Sequence, residues 1–158
     1  MKKNILLLLI FCCNLAIGQR NDNPKIDSIV VIKKHRDMIL YSKGSIYKTY
    51  KIALGKKKLP KEKEGDRRTP EGNYVISSKN QNSKYYKNLG INYPNKNDLI
   101  LKRTGGDIKI HGIKNGFGFL GGLHRVFNWT DGCIAVTNKE MEELYNLIEE
   151  KTIINIKP

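Results

Sequence analysis

Only one stretch of this chain has helical periodicity; almost everything else that is patterned alternates with period two. Thr137 and Glu140 have the spacing of a capping box, and Met141, Leu144, Tyr145 and Ile148 behind them fall on one helical face. Upstream, short β-branched runs recur between turn residues: Ser28 to Lys34, Met38 to Ser42, Ser45 to Leu54 and Asn73 to Ser77. Lys43-Gly44 between two of them marks a hairpin. Leu89 to Ile91, Asp107 to His111, Cys133 to Val136 and Thr152 to Ile156 complete the series. Strands this short bury their apolar faces only by packing together, with the helix laid against them. The expected fold is a single, mostly β domain with one or two helices.

The N-terminus sets the compartment. Met1-Lys2-Lys3-Asn4 is a basic start, and Ile5 to Cys13 is an apolar run too short to span a bilayer. Ala16-Ile17-Gly18 suits signal peptidase, so residues 1–18 read as a signal peptide cut before Gln19, and residues 19–27 as a short polar leader. Leu9-Ile10-Phe11 is too bulky to precede a lipid-anchor cysteine. The expected location is periplasmic, with no stable membrane insertion. Residues 28–158 form the domain.

The full chain carries 29 Lys+Arg against 15 Asp+Glu. Without Lys2 and Lys3 the balance is 27 to 15, a net charge of +12. Such a charge suits an anionic partner, whether cell wall, anionic lipid or nucleic acid; surface lysines also serve solubility alone. No aromatics interleave the lysines of Lys56 to Glu64, which argues against single-strand binding, and no nucleic acid partner is expected.

Removal of the signal takes Cys12 and Cys13 with it and leaves Cys133 as the one thiol. An unpaired cysteine in an exported protein points to catalysis; the competing reading is an inert small hydrophobe. A nucleophilic thiolate needs a base and donors for an oxyanion. Of three histidines, His35 lies in a polar corner between strands, His111 ends a strand before Gly112, and His124 lies in the Gly-rich loop between Ile113 and Thr130. Gly112 would admit close backbone approach, and Gly132 before the cysteine permits a tight turn that gathers backbone N–H groups. A zinc site from His111, His124, Cys133 and Asp131 competes with this, but no ligand pair in it has a compact metal-binding spacing.

Ile110-His111-Gly112, a long glycine-rich loop and then Thr130-Asp131-Gly132-Cys133-Ile134 resemble the L,D-transpeptidase catalytic domain, also called YkuD. Glu64 to Gly72 and Asn92-Tyr93-Pro94-Asn95 resemble it as well, and Trp129 to Asn138 is similar to its YafK-like branch. The resemblance covers roughly residues 28–158. It implies a β-sandwich or barrel-like fold, Cys133 as nucleophile and His111 as acid and base. It also implies peptidoglycan stem peptides as partner and no cofactor or metal. Gly132, Gly112, Asp131 and His124 become candidate oxyanion or substrate contacts. Arg67 and Arg68 would meet a substrate carboxylate or pair with Glu64 or Asp66. Asp131 and Ala135 depart from the commonest family form, which has histidine and arginine there. The same residues would serve transpeptidation or hydrolysis of stem peptides or of wall-anchored protein. A non-catalytic wall-binding module is the alternative from another class. Oligomeric state is left open.

Overall fold

The computed structural model describes residues 24–158; the signal peptide and most of the leader expected from sequence lie outside the described residues. Eight strands alternate with two short helices: β1 (Ser28–Ile32), β2 (Asp37–Ser42), β3 (Ser45–Lys51), β4 (Gly72–Ser83), β5 (Tyr86–Ile91), α1 (Lys96–Ile100), β6 (Lys109–His111), β7 (Ile134–Ala135), α2 (Asn138–Leu147) and β8 (Ile153–Lys157). They form one sheet in the order β3-β2-β1-β8-β4-β5-β6-β7. Ala53, just past β3, exchanges both backbone hydrogen bonds with Ala135 of β7, at 2.9 and 2.8 Å. The two ends of the sheet therefore meet, and the sheet curls into a barrel-like body.

Alternation dictates the filling. Ile29 and Val31 of β1, Met38 and Leu40 of β2, Ile76 of β4, Leu89 of β5, Ile110 of β6 and Ile134 of β7 are fully buried inside the curl. Each contributes roughly 1.5–3 kcal/mol of transfer free energy, which outweighs any local propensity. Helix α2 begins at the capping box expected from sequence: Thr137 Oγ1 accepts from Glu140 N, and Glu140 reaches back to Thr137 N. Ten residues make a marginal helix in isolation. Packing fixes it, through buried Met141, Leu144 and Leu147 and through Glu142, which accepts from Tyr86 Oη at 2.6 Å and Lys87 Nζ at 2.8 Å on β5.

The hairpin at Lys43-Gly44 has positive φ at both residues, 51° and 75°, the combination a tight two-residue turn requires. Strand β4 exceeds the sequence expectation, and α1 is the second helix that the expectation allowed. Strand β4 runs on through Ser77 to Ser83, a polar stretch without apolar alternation because it faces solvent and the cavity described below. Helix α1 is capped by Asn95, whose side chain accepts from Asp98 N while Asp98 returns the bond. Among the described residues no helix is long and apolar enough to cross a membrane.

Candidate active site

Parallel strands β6 and β7 pair Ile110 with Ile134 and His111 with Ala135. Extending that register back by one pair sets Cys133 beside Lys109, two residues from His111 and on the same face. A strand spacing of about 4.8 Å and a two-residue step of about 6.6 Å put the two Cα atoms roughly 8 Å apart, within reach of a cysteine and an imidazole. Cys133 and His111 both line one open cavity of about 620 Å³, with Tyr85, Asn88, Asp107 and Trp129. The cavity forms because β4 and β5 continue past the core as a polar hairpin on one side, while the Gly106-Asp107-Ile108 segment lines the other.

His111 is 5% exposed, and its Nδ1 lies 2.6 Å from the Gly112 carbonyl oxygen. A carbonyl only accepts, so Nδ1 carries the proton and Nε2 keeps its lone pair. Burial, assisted by the Lys109 cation, pulls the imidazole pKa below its ordinary value against the opposing Gly112 contact. The ring is walled by aromatics: Tyr85 at 4.7 Å between centroids and Trp129 at 5.7 Å, edge-on.

Cys133 is a half-buried free thiol whose Sγ donates to the Asp107 carbonyl at 3.5 Å. Burial raises its pKa above the ordinary thiol value; the Lys109 backbone N–H opposes this, while Asp107 and Asp131 add to it. Asp107 sits at a φ of 58°, a conformation that costs a non-glycine residue energy and turns its carbonyl toward the thiol.

Gly132 is required twice over. Its φ is 131°, and a Cβ there would stand 2.7 Å from the Arg68 carbonyl oxygen. Its N–H donates to Thr130 Oγ1 at 3.2 Å, and that hydroxyl donates to the Cys133 carbonyl at 2.7 Å. The Gly132 N–H is therefore already engaged, unlike the free donor expected from sequence. The loop that presses on Gly132 is set by Asp66. Its carboxylate accepts from the backbone of Glu62, Lys63 and Arg68 and from buried Lys61, at 2.8 to 3.1 Å. Burial pushes that carboxyl up, but these donors outweigh it and hold it at about 2.

The other sequence candidates have different surroundings. Gly112 does not line the cavity; the space beside it is taken by Asn138 Oδ1, 2.7 Å from where a Cβ would stand, and by Tyr86. Asn138 also accepts from Ile113 N at 2.8 Å, which ties the start of α2 to the residue after the His-Gly pair. His124 lies behind Trp129, not in the cavity. Trp129 Nε1 and Arg125 Nε both face its ring nitrogens at 3.3 Å, and a neutral imidazole accepts at only one of them. Burial and the Arg125 cation push its pKa down to about 4, with Glu140 opposing, so it is neutral at physiological pH. Asp131 stands at the cavity mouth with its side chain 78% exposed, 3.8 Å from Lys56 and 3.7 Å from Arg67. The arginines thus pair differently from the sequence expectation: Arg67 faces Asp131, and Arg68 pairs with Glu62 at 2.9 Å. Among the described residues no three His, Cys, Asp or Glu side chains are grouped to hold a metal ion.

Sequence reasoning missed Tyr85, Asn88 and Asp107. Asn88 is directly paired with His111 across β5 and β6, which the period-two pattern would reveal only once that pairing is known. Tyr85 lies in a polar, aromatic stretch without periodicity, and Asp107 acts through its backbone, so neither leaves a signal.

Comparison with known proteins follows the same residues. The family model "L,D-transpeptidase catalytic domain" (YkuD) matches residues 26–156. The protein named "Putative L,D-transpeptidase YafK" of Escherichia coli (strain K12) is 31% identical over 128 residues, which is 76% of this chain and 46% of that protein. Pgp2, the helical cell shape determining protein of Campylobacter jejuni, superposes with a TM-score of 0.68 at 26% identity, over 86% of this chain and 49% of the other. Bd1075 of Bdellovibrio bacteriovorus gives 0.63 at 25% identity, over 87% and 49%. The chain thus spans about half the length of the relatives it matches. Because the family match begins just ahead of β1, reaches into β8 and includes both His111 and Cys133, the chain belongs to the L,D-transpeptidase catalytic domain family.

Proposed function

We propose that this chain is a cysteine acyltransferase acting on peptidoglycan stem peptides outside the cytoplasm, with Cys133 as nucleophile and His111 as acid and base. The observation that carries this reading is the anchored imidazole. With Nδ1–H fixed on the Gly112 carbonyl, Nε2 is the basic nitrogen on the strand next to the thiol, in a shared cavity. Family membership supplies the substrate class, and the similarity to Pgp2, a cell shape determining protein, is in keeping with it.

In this reading the Cys133 thiol gives its proton to His111 Nε2 as sulfur attacks the carbonyl between the third stem residue, a diamino acid, and the following D-alanine. The Cys133 N–H takes the developing oxyanion, since the Gly132 N–H is held by Thr130. His111 then protonates the leaving amine, and a thioester remains on Cys133. An acceptor amine gives a cross-link or an attached protein; water gives a shortened stem. Tyr85 and Trp129 keep the imidazole plane in place, and Asp131, Lys56 and Arg67 present mixed charge to the substrate at the cavity mouth.

The reading is tested by incubating the protein with a disaccharide tetrapeptide, with and without an acceptor stem, and following products by mass spectrometry. Cross-linked dimers identify transpeptidation, and tripeptide alone identifies hydrolysis. Neither product, with wall binding that persists in Cys133→Ala, would leave a non-catalytic binding module.

A further inference from the structure

The loop between β6 and β7 carries a second surface, which the chemistry above does not use. Within residues 117–127, Phe119 is 82% exposed, Val126 72%, Leu123 70% and Phe127 66%. Apolar side chains so exposed on one short loop mark a docking surface. The loop is shaped as well as apolar: a groove of about 470 Å³ runs between Ile113, Phe117, Leu123, Phe127 and Trp129. Gly121, at a φ of 48°, breaks the 3-10 turn Gly118–Arg125 in its middle and lets Phe119 and Leu123 stand out on either side.

The surroundings of the loop are cationic. Lys114 borders the groove, while Lys34, Lys57 and Lys58 border a neighbouring cavity that Val126 also lines. All four lysines are exposed, and none takes part in an ion pair among the described residues. Exposed aromatic and aliphatic side chains with unpaired lysines beside them match the layering of a bilayer surface, with acyl chains below anionic headgroups. The same charge disfavours a second copy of this chain, because a symmetric contact would bring two sets of these lysines together. A glycan would need partners for its hydroxyls, and the groove is walled by carbon apart from Lys114 and the engaged ring of His124.

We propose that the 117–127 loop is a peripheral docking surface for an anionic lipid bilayer. Phe119, Leu123 and Phe127 enter the acyl boundary, and Lys34, Lys57, Lys58 and Lys114 lie at the headgroups. Docking there would hold the Trp129 side of the reactive cavity against the membrane, without any spanning segment.

Trp129 is the one tryptophan in the chain and borders the groove, so its fluorescence reports this loop rather than an attachment elsewhere. The full chain is mixed with vesicles of phosphatidylcholine alone, or with phosphatidylglycerol added, containing brominated acyl chains. Quenching of Trp129 is expected with phosphatidylglycerol vesicles. The apparent affinity should fall about tenfold in Phe119→Ser/Phe127→Ser and again when salt is raised. It should be kept in Leu99→Ser/Ile100→Ser, which removes exposed apolar side chains from α1 instead. These changes touch only exposed side chains, so the fold should be retained, as circular dichroism would show. Absence of Trp129 quenching by anionic vesicles at low salt would overturn the proposal, as would quenching unchanged in the phenylalanine variant. So would a dimer, seen by light scattering, that the phenylalanine variant dissociates.

Discussion

The Gly112 carbonyl oxygen lies 2.6 Å from His111 Nδ1, and this one contact decides which face of the imidazole is basic. Because Nδ1 must donate there, the ring has a fixed tautomer and a fixed plane, and Nε2 is left as the proton acceptor. Replacing His111 with alanine removes the base and leaves the thiol, the cavity and the sheet. Acylation of Cys133 should fall roughly 100- to 10,000-fold, the range general bases contribute. Rates of substrate-derived adduct formation in the two proteins measure this directly.

The pair has an expected pH signature. Burial lifts the Cys133 thiol and lowers His111, so both are neutral at pH 7, in contrast to a thiolate–imidazolium pair. A thiol raised in the folded protein becomes thiolate only above the ordinary thiol range. Alkylation of Cys133 by a small reagent should therefore keep climbing above pH 9, with no reactive plateau near pH 6. Substrate turnover, by contrast, needs only neutral His111, and that form persists below pH 6.5 because its pKa is lowered. The acid limb of turnover should accordingly lie below pH 6.5.

Gly132 should tolerate no side chain. Gly132→Ala places a methyl against the Arg68 carbonyl and demands a φ of 131° that L-residues rarely adopt. The expected cost is on the order of 1–3 kcal/mol of stability. Turnover should be lost by more than that instability explains, since the turn also aims the Cys133 N–H. Denaturant melts paired with single-turnover rates separate the two effects.

Asp66 should make the active-site loop acid-sensitive. Its folded pKa of about 2 lies below the unfolded value near 3.9. The stability it contributes is thus fully present above about pH 4 and is lost as pH falls toward 2. Asp66→Asn should cost on the order of 2 kcal/mol at pH 7, and the difference from the unmodified protein should shrink as the pH approaches 2. Urea unfolding at pH 7, 4 and 2.5 tests this.

What the sequence discloses follows from where its signals arise. Ser28–Ile32 and Asp37–Ser42 read as strands because each side chain faces either core or solvent, so burial writes its period into the residues. The Thr137 cap is legible because it is local. The polar end of β4 is not, because both of its faces are wet and no alternation is imposed. His111 and Cys133 are visible as chemistry. Their neighbours Tyr85, Asn88 and Asp107 reach the cavity through strand pairing and backbone conformation, which leave no pattern in a single chain. Asp131, at a motif position, lies largely in solvent between Lys56 and Arg67, and the Arg67 partner emerges only when the loop is folded.

A nucleophilic Cys133 must carry an acyl group in turnover. Intact-protein mass spectrometry after rapid mixing with a disaccharide tetrapeptide measures it. An adduct equal to the substrate less D-alanine is expected, mapped to Cys133 by peptide fragmentation and absent in Cys133→Ala. Product formation that persists in Cys133→Ala, or an acyl group mapped to any other residue, would contradict it.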